Sequence, residues 1–292
     1  MKVLSIGNSF SNSVQRYLPQ IAACLGKSLS LQMASFGGCE LRRHWSYITA
    51  EENDVDCRIY AGGASKLRDI LANEAWDLVT IQQASHESWR PETYEPYAGK
   101  IIAYVKQHAP QAEILIQQTW AYRADAVQLQ ADSEWQINQQ QMYEKLTAAY
   151  KKIAQKYGLR IIPSGYAVQL ARKNEEKPFC NYDVELLQYL RWPDLPPQSG
   201  DVVGACAWRK DPVSAELYLS RDLTHLNCRG EYLQAALWAA CIYGVNAETI
   251  SFVPEEISNN DAVFLRSMAQ RAAKKAKKED NRKGRKEGKE RG

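Results

Sequence analysis

The sequence predicts an α/β protein, a three-layer α/β/α sandwich around a parallel sheet of about five strands. Two observations carry this prediction. Short apolar runs alternate with stretches of helical periodicity along most of the chain, and each apolar run is followed by polar or glycine-containing sequence. A length of 292 residues and a hydrophobic content of 45% suffice for one large domain with a buried core.

The candidate strands are short runs that are rich in β-branched residues or leucine. Each run ends at a turn signal, which is typical of a strand that leads into a loop and a helix. The runs are residues 3–6, 29–34, 78–81, 114–116 and 159–162.

Apolar residues at three- and four-residue spacing predict the helices between the strands. The clearest stripe spans residues 142–157 and ends before Gly158, a residue type that commonly terminates helices. Other stripes lie at residues 67–71, 101–105 and 232–240. We expect these stripes to pack in the core.

Residues 174–220 interrupt the α/β alternation. The W-P-D-L-P-P run at residues 192–197 can continue neither a helix nor a central strand. Beyond it, residues 202–208 and 216–219 could pair as a hairpin. We expect this insertion to lie over the functional end of the sheet as a lid or a specificity loop.

The positive charge of the chain is concentrated at its C-terminus. From Arg271 onward, eleven Lys or Arg residues stand against four Asp or Glu residues, so the rest of the chain carries a net charge of −4 within the total of +3. We expect a folded domain over residues 1–268. Residues 269–292 are poor in apolar side chains, and we expect them to form a disordered tail or a frayed helix. Because the tail lacks interleaved aromatic residues, we favour a solubilising role over nucleic-acid binding.

Composition argues against several classes of protein. No stretch approaches the roughly 18 consecutive apolar residues of a membrane span, and the N-terminus becomes polar too soon for a signal peptide. We therefore expect a cytoplasmic protein with no membrane partner, unless a leader precedes the sequence. Seven cysteines without a CxxC pair fit reduced thiols better than a disulfide framework. Four isolated histidines predict no metal site, and we expect no cofactor.

Two distant motifs place reactive groups at the same end of the predicted sheet. G-N-S-F-S at residues 7–11 follows the first strand, and D-L-T-H at residues 222–225 precedes the last strong helix. A serine hydroxyl needs a base to take its proton, and an imidazole needs a partner that orients it. The motifs therefore predict Ser9 as a nucleophile, His225 as its base and Asp222 as the orienting acid.

Together these motifs resemble the SGNH/GDSL hydrolase superfamily, in particular a branch that opens with G-N-S-F-S where other members have G-D-S. The resemblance covers roughly residues 1–245. It implies a flavodoxin-like fold and the same catalytic roles for Ser9, Asp222 and His225. It also implies that the backbone N–H of Ser9 contributes to an oxyanion hole.

The resemblance further implies a glycine of a second block and an asparagine of a third block as oxyanion donors. The second block corresponds to S-F-G-G-C at residues 35–39, where Gly38 is the preferred donor and Gly37 its alternative. The third block departs from the family, because A-S-H-E stands where G-x-N-D is expected and His86 replaces the asparagine. His86 and Gln83 are both candidates for the third donor.

Aromatic residues near the predicted strand ends favour a saccharide-like substrate, since sugar clefts use rings as apolar platforms with polar rims. The candidate substrate-binding residues are Trp45, Trp89, Trp120 and Tyr122, together with Asn8. We therefore expect an esterase that acts on a small-molecule or saccharide ester through an acyl-serine, with deacetylation of an O-acetylated carbohydrate as the leading hypothesis. The alternatives are an acyltransferase on the same triad and a non-catalytic carbohydrate-binding protein on the same scaffold. The sequence does not predict an oligomeric state.

Overall fold

The computed structural model describes residues 1–290, with side chains described for residues 1–281, and its centre is a parallel sheet. Within the described chain this sheet has five strands in the order β2-β1-β3-β4-β5 and confirms the predicted α/β fold. Every strand begins and ends within one residue of its predicted bounds. The strands are Lys2–Gly7 (β1), Ser30–Ser35 (β2), Leu78–Ile81 (β3), Glu113–Gln117 (β4) and Arg160–Ile162 (β5).

Helices cover both faces of the sheet. They are Ser9–Asn12 (α1), Leu18–Cys24 (α2), Leu41–Asn53 (α3), Tyr60–Gly63 (α4), Leu67–Ala72 (α5), Tyr97–His108 (α6), Gln139–Tyr157 (α7), Ser164–Asn174 (α8), Cys228–Tyr243 (α9) and Asn259–Glu290 (α10). The helices α3, α5 and α6 form one packed group, and α2, α8, α9 and α10 form another. Across the described residues, none of these helices has both the length and the apolar character that a bilayer crossing requires.

Asparagine side chains start two of the long helices, and glycines end them. The Asn138 side chain accepts from Gln141 N at the start of α7, and Gly158 ends that helix with a φ of +65°. Asn227 accepts from Gly230 N at the start of α9. Since Asn227 lies two positions after His225, this cap determines where the chain turns away from the predicted base.

The predicted hairpin in the insertion is present. Residues Val203–Lys210 (β6) pair antiparallel with Leu217–Leu226 (β7). The second strand is longer than predicted and includes Asp222 and His225. Before the hairpin, the insertion contains one short 3₁₀ turn, Val184–Tyr189, within the described chain.

The packed part of the chain continues past residue 268, where the predicted tail begins. The helix α10 continues through the basic segment to Glu290. Met268, Ala269 and Ala272 are buried, because apolar residues at three- and four-residue spacing face α8 and α9. This stripe extends the folded domain beyond its predicted end. Residues 291–292 of the predicted tail lie outside the described residues.

Replacing Ala269 by Asp should lower the free energy of unfolding by about 3–5 kcal/mol, because the variant places an unpaired carboxylate in the packed face of α10. Urea unfolding followed by circular dichroism measures the change. The matched control is Val263→Asp on the same helix, at a side chain that is 58% exposed. The control should change stability by about 0.5 kcal/mol or less. Equal effects at the two positions would contradict the packing of α10.

Candidate active site

Ser9, His225 and Asp222 meet at the carboxyl end of β1. The Nε2 atom of His225 lies 2.8 Å from Ser9 Oγ, and its Nδ1 atom lies 2.8 Å from Asp222 Oδ2. Because an ionised carboxylate only accepts hydrogen bonds, Nδ1 carries the proton of the neutral ring. The Nε2 atom can then accept the hydroxyl hydrogen of the serine. The structure therefore brings together all three residues of the predicted triad.

The Asp222 carboxylate is held in its ionised form by several donors. Its Oδ1 atom accepts from the backbone N–H groups of Thr224 and His225, both at 3.0 Å. Partial burial acts to raise the pKa of Asp222. The hydrogen bonds from the His225 ring and from these backbone groups outweigh that effect and hold the pKa well below its usual value. The group that faces His225 Nδ1 is therefore a carboxylate at neutral and mildly acidic pH.

Trp120 supports the strand that carries His225. Its Nε1 atom donates to Thr224 O at 2.9 Å, and its ring stacks on Phe10 with 4.3 Å between ring centroids. Phe10 in turn lies 5.1 Å from the His225 ring, measured between centroids. Trp120 is fully buried by these contacts. The predicted substrate contact of Trp120 is therefore wrong, and the residue positions the base.

A buried ion-pair network also stabilises the hairpin of β6 and β7. Arg123 binds Asp125 through two hydrogen bonds, Nε to Oδ1 at 2.7 Å and Nη2 to Oδ2 at 2.9 Å. The carboxylate also accepts from Tyr182 Oη at 2.7 Å and from Arg221 Nη2 at 3.2 Å. The backbone N–H of Arg123 donates to Leu223 O at 3.0 Å. One carboxylate thus joins the loop after β4, the insertion and β7.

Asn8 lies beneath the nucleophile and is hydrogen-bonded to the neighbouring loops. Its Oδ1 atom accepts from Phe10 N at 3.1 Å, which caps α1, and from Gln82 Nε2 at 2.8 Å. Its Nδ2 atom donates to Cys39 O at 3.1 Å. Because the side chain is only 1% exposed, the predicted substrate contact of Asn8 is wrong. Asn8 instead joins the first block to the second and third blocks.

His44 supports the same turn, although no sequence motif identifies it. Its Nε2 atom lies 2.8 Å from Gly7 O, and its Nδ1 atom lies 2.9 Å from Tyr60 Oη. Because a carbonyl oxygen only accepts, Nε2 carries the proton and Nδ1 accepts from the tyrosine. Complete burial lowers the pKa of His44 to about 4, so the ring is neutral near pH 7. A lone histidine on a helix carries no local signal of this role.

The candidate oxyanion donors Gly38 and His86 lie side by side. Gly38 has a φ of +57°, in the left-handed region that favours glycine. A β-carbon at this position would lie 3.9 Å from His86 Cε1. The Nε2 atom of His86 lies 3.3 Å from Glu40 Oε1 and donates to it. The structure therefore juxtaposes the second and third blocks as the resemblance implies.

Gln83, the other candidate for the third donor, is bound within the protein framework. Its Oε1 atom accepts from Leu41 N and from Ala84 N, both at 2.9 Å. Its Nε2 atom donates to both the carbonyl oxygen and the hydroxyl of Thr93 at 3.1 Å. No amide hydrogen of Gln83 is left for a substrate, so its predicted oxyanion role is wrong. Gln83 instead ties the third-block loop to the start of α3.

Trp45 is a helix-packing residue. Its ring lies edge-on to Tyr104 at 6.5 Å, and the ammonium group of Lys100 lies 5.2 Å from its centroid. Both partners belong to α6. These contacts place Trp45 against α6, and its substrate contact stays a prediction.

Tyr122 and Trp89 lie nearer to the triad. Tyr122 is buried, with its hydroxyl 2.8 Å from Ser85 Oγ and its ring centroid 6.4 Å from that of Phe10. Trp89 is partly exposed and packs against Trp135, with 5.4 Å between centroids. Trp135 was not predicted, because it lies in polar sequence far from any motif. Trp89 therefore keeps an exposed surface that a ligand can contact.

Metal-ligating side chains are dispersed through the described part of the chain. Among residues 1–281 no group of three or more His, Cys, Asp or Glu residues could hold a metal ion. The seven cysteines are free thiols at separate positions. The structure thus identifies no metal-binding arrangement within these residues.

Comparison with known proteins gives a family and a fold. A family model described as a domain of unknown function, DUF4886, matches residues 2–211. A solved DUF4886 family protein from Bacteroides uniformis ATCC 8492 is 26% identical, with a TM-score of 0.70 over 93% of this chain and 94% of that chain. A protein from Slackia heliotrinireducens described as a candidate SGNH hydrolase is 19% identical, with a TM-score of 0.52 over 83% and 98%. No curated protein matches the chain at a significant level. The SGNH resemblance is thus supported at the level of fold.

The lowered pKa of His44 predicts a pH-dependent part of the stability. The folded protein keeps this ring neutral down to about pH 4, whereas the ordinary value is 6.5. Between these values the unfolded chain binds the extra proton, so the free energy of unfolding should fall by about 3 kcal/mol as the pH is lowered from 6.5 to 4. His44→Gln, whose amide keeps a donor and an acceptor, should lose this part of the pH dependence in urea unfolding. An unchanged pH dependence in the variant would contradict the neutral, buried ring.

Proposed function

The chain belongs to the DUF4886 family, and we propose that it is a serine esterase that cleaves ester bonds through an acyl-serine intermediate. One observation carries this proposal. The Nε2 atom of His225 lies 2.8 Å from Ser9 Oγ while its Nδ1 atom lies 2.8 Å from Asp222 Oδ2. A hydroxyl, an imidazole and a carboxylate in this order activate a serine for attack on a carbonyl carbon. The likeness in fold to a candidate SGNH hydrolase supports the same reading.

The acylation step uses all three residues. Ser9 Oγ attacks the ester carbonyl carbon while His225 Nε2 takes the hydroxyl proton. The Asp222 carboxylate stabilises the resulting imidazolium through the Nδ1–H hydrogen bond. The tetrahedral intermediate then breaks its bond to the alcohol oxygen, which receives the proton from His225. The products are the free alcohol and an acyl ester on Ser9.

Deacylation repeats the proton transfers with water. His225 Nε2 takes a proton from a water molecule as its oxygen attacks the acyl carbon. Collapse of the second intermediate breaks the bond to Ser9 Oγ, which recovers the proton from His225. The carboxylic acid leaves, and the serine hydroxyl is restored.

The negative charge of each intermediate requires donors that are already in place. We assign this role to the backbone N–H groups of Ser9 and Gly38 and to the His86 side chain. The side-by-side placement of Gly38 and His86 supports the assignment. In the free protein the Nε2–H of His86 donates to Glu40. This N–H must therefore turn from the Glu40 carboxylate to the oxyanion as the substrate binds.

For the substrate we propose an O-acetylated carbohydrate. An acetyl group is small, so it needs little acyl pocket beyond the oxyanion donors. The partly exposed rings of Trp89 and Trp135, next to the buried Tyr122, support a saccharide as the alcohol part.

Replacing Ser9 by Ala should lower kcat on p-nitrophenyl acetate by roughly 10⁴–10⁶-fold, because the nucleophile is removed. The matched control is Ser11→Ala in the same short helix, at a buried hydroxyl that has no hydrogen-bond partner. The control should keep its activity. A fluorophosphonate probe followed by peptide mass spectrometry should label Ser9. Full activity of Ser9→Ala would refute the mechanism.

Asp222→Asn should lower kcat by about 10⁴-fold with little change in KM, because an amide no longer holds the Nδ1–H form of His225. Steady-state kinetics on the same ester measures both constants. The carboxylate of the native protein stays ionised at mildly acidic pH, since its pKa is depressed. Acidification to about pH 5 should therefore leave Asp222 ionised, so it should not reproduce the loss of the carboxylate in the variant. A variant with native kcat would exclude an orienting role for Asp222.

His86→Ala should lower kcat by about 10²–10³-fold, the usual cost of losing one oxyanion donor. The control is His108→Ala, which removes an imidazole that packs against Tyr104 on α6. That control should retain the native kcat. If His86→Ala also retains it, the third donor is a different group.

A further inference from the structure

Aromatic rings in mutual contact lead away from the catalytic base. Phe10 lies 5.1 Å from His225, Tyr122 lies 6.4 Å from Phe10, and Trp135 lies 5.6 Å from Tyr122, all between ring centroids. Trp89 completes the row at 5.4 Å from Trp135. Phe10 and Tyr122 are buried, whereas Trp135 and Trp89 are partly exposed. A ligand can contact only the exposed rings, so the outer pair is where the row can bind.

The exposed pair belongs to loops that also build the catalytic site. Trp89 lies three positions after His86 on the third-block loop, and Trp135 lies on the segment between β4 and α7 that also carries Tyr122. The Tyr122 hydroxyl is hydrogen-bonded to Ser85 Oγ at 2.8 Å, which joins the two loops. The position of the pair relative to the triad is therefore determined by the same contacts that shape the site.

Two cationic side chains lie over the ring of Trp89. The guanidinium carbon of Arg90 lies 4.6 Å from the centroid of Trp89, and the ammonium nitrogen of Lys145 lies 5.6 Å from it. Glu87 lies 3.5 Å from Arg90 Nη1 and orients it. The partly exposed tryptophan rings and these N–H donors therefore lie together. A sugar ring offers C–H groups to the aromatic surface and hydroxyl groups to the donors.

We propose that Trp89 and Trp135 form a saccharide subsite that binds a sugar unit other than the one that carries the ester. This inference rests on the proposed esterase function and specifies its substrate as an oligosaccharide or polysaccharide. Two buried rings, Phe10 and Tyr122, separate the pair from His225. A ligand that follows this row of contacts from Ser9 to the pair therefore spans more than one sugar.

The test compares a long and a short substrate. Trp135→Ala should lower kcat/KM for an acetylated xylo-oligosaccharide roughly tenfold more than for p-nitrophenyl acetate, because only the oligosaccharide can reach the pair. Trp135→Phe, which keeps a ring, should recover most of this difference. The control is Trp192→Ala, at a surface tryptophan of the insertion that is 65% exposed, and it should leave the ratio between substrates unchanged. Equal effects of Trp135→Ala on both substrates would overturn the proposal.

A binding measurement separates this inference from the catalytic proposal. In a Ser9→Ala background, isothermal titration calorimetry with the deacetylated xylo-oligosaccharide should show binding that Trp135→Ala weakens about tenfold. Unchanged affinity in Trp135→Ala, or no binding in the Ser9→Ala parent, would refute the subsite. Retention of esterase activity by Ser9→Ala would instead refute the catalytic mechanism, while the calorimetric result would still decide the subsite.

Discussion

The hydrogen bonds of the Asn8 side chain are the constraint on which the site depends. They join the turn after β1 to the loops after β2 and β3, through Cys39 O and Gln82 Nε2. A buried amide that loses a partner costs about 1–3 kcal/mol, so the three loops strongly favour one relative position. His44, on α3, donates a further hydrogen bond to the carbonyl oxygen of Gly7. Ser9 is therefore held in place before any substrate arrives.

The base reaches the nucleophile from a strand that is outside the main sheet. Ser9 and His225 are 216 positions apart in the chain, yet their side chains are hydrogen-bonded. Trp120 and the Arg123–Asp125 pair hold β7 against the loop after β4. Preorganised groups of this kind need little rearrangement when charge develops in the transition state. The insertion, through Tyr182, is part of this support.

The apolar pattern of the sequence predicted the strands of the sheet better than it predicted the C-terminal helix. The central strands β1, β3 and β4 were placed correctly because a parallel strand that is buried on both faces is a short run of apolar residues. The predicted start of the tail at residue 269 was too early, because the apolar residues there, such as Ala269 and Ala272, are small yet spaced to fill one helix face. Composition averages over such spacing, so a basic segment can look unstructured while one of its faces is packed.

Local patterns in the sequence predicted both the α/β sandwich and the candidate triad. The serine after the first strand and the D-x-x-H pair can be recognised without knowledge of the rest of the fold. The roles of Asn8, Gln83, Trp120 and Trp135 were not readable in this way. An amide or a ring after a strand looks the same in sequence whether it faces solvent or fills the space under a loop. Burial and hydrogen-bond partners depend on segments that are distant in the chain. They are settled when those segments pack together, and that packing assigned three of these side chains to support and left Trp135 partly exposed.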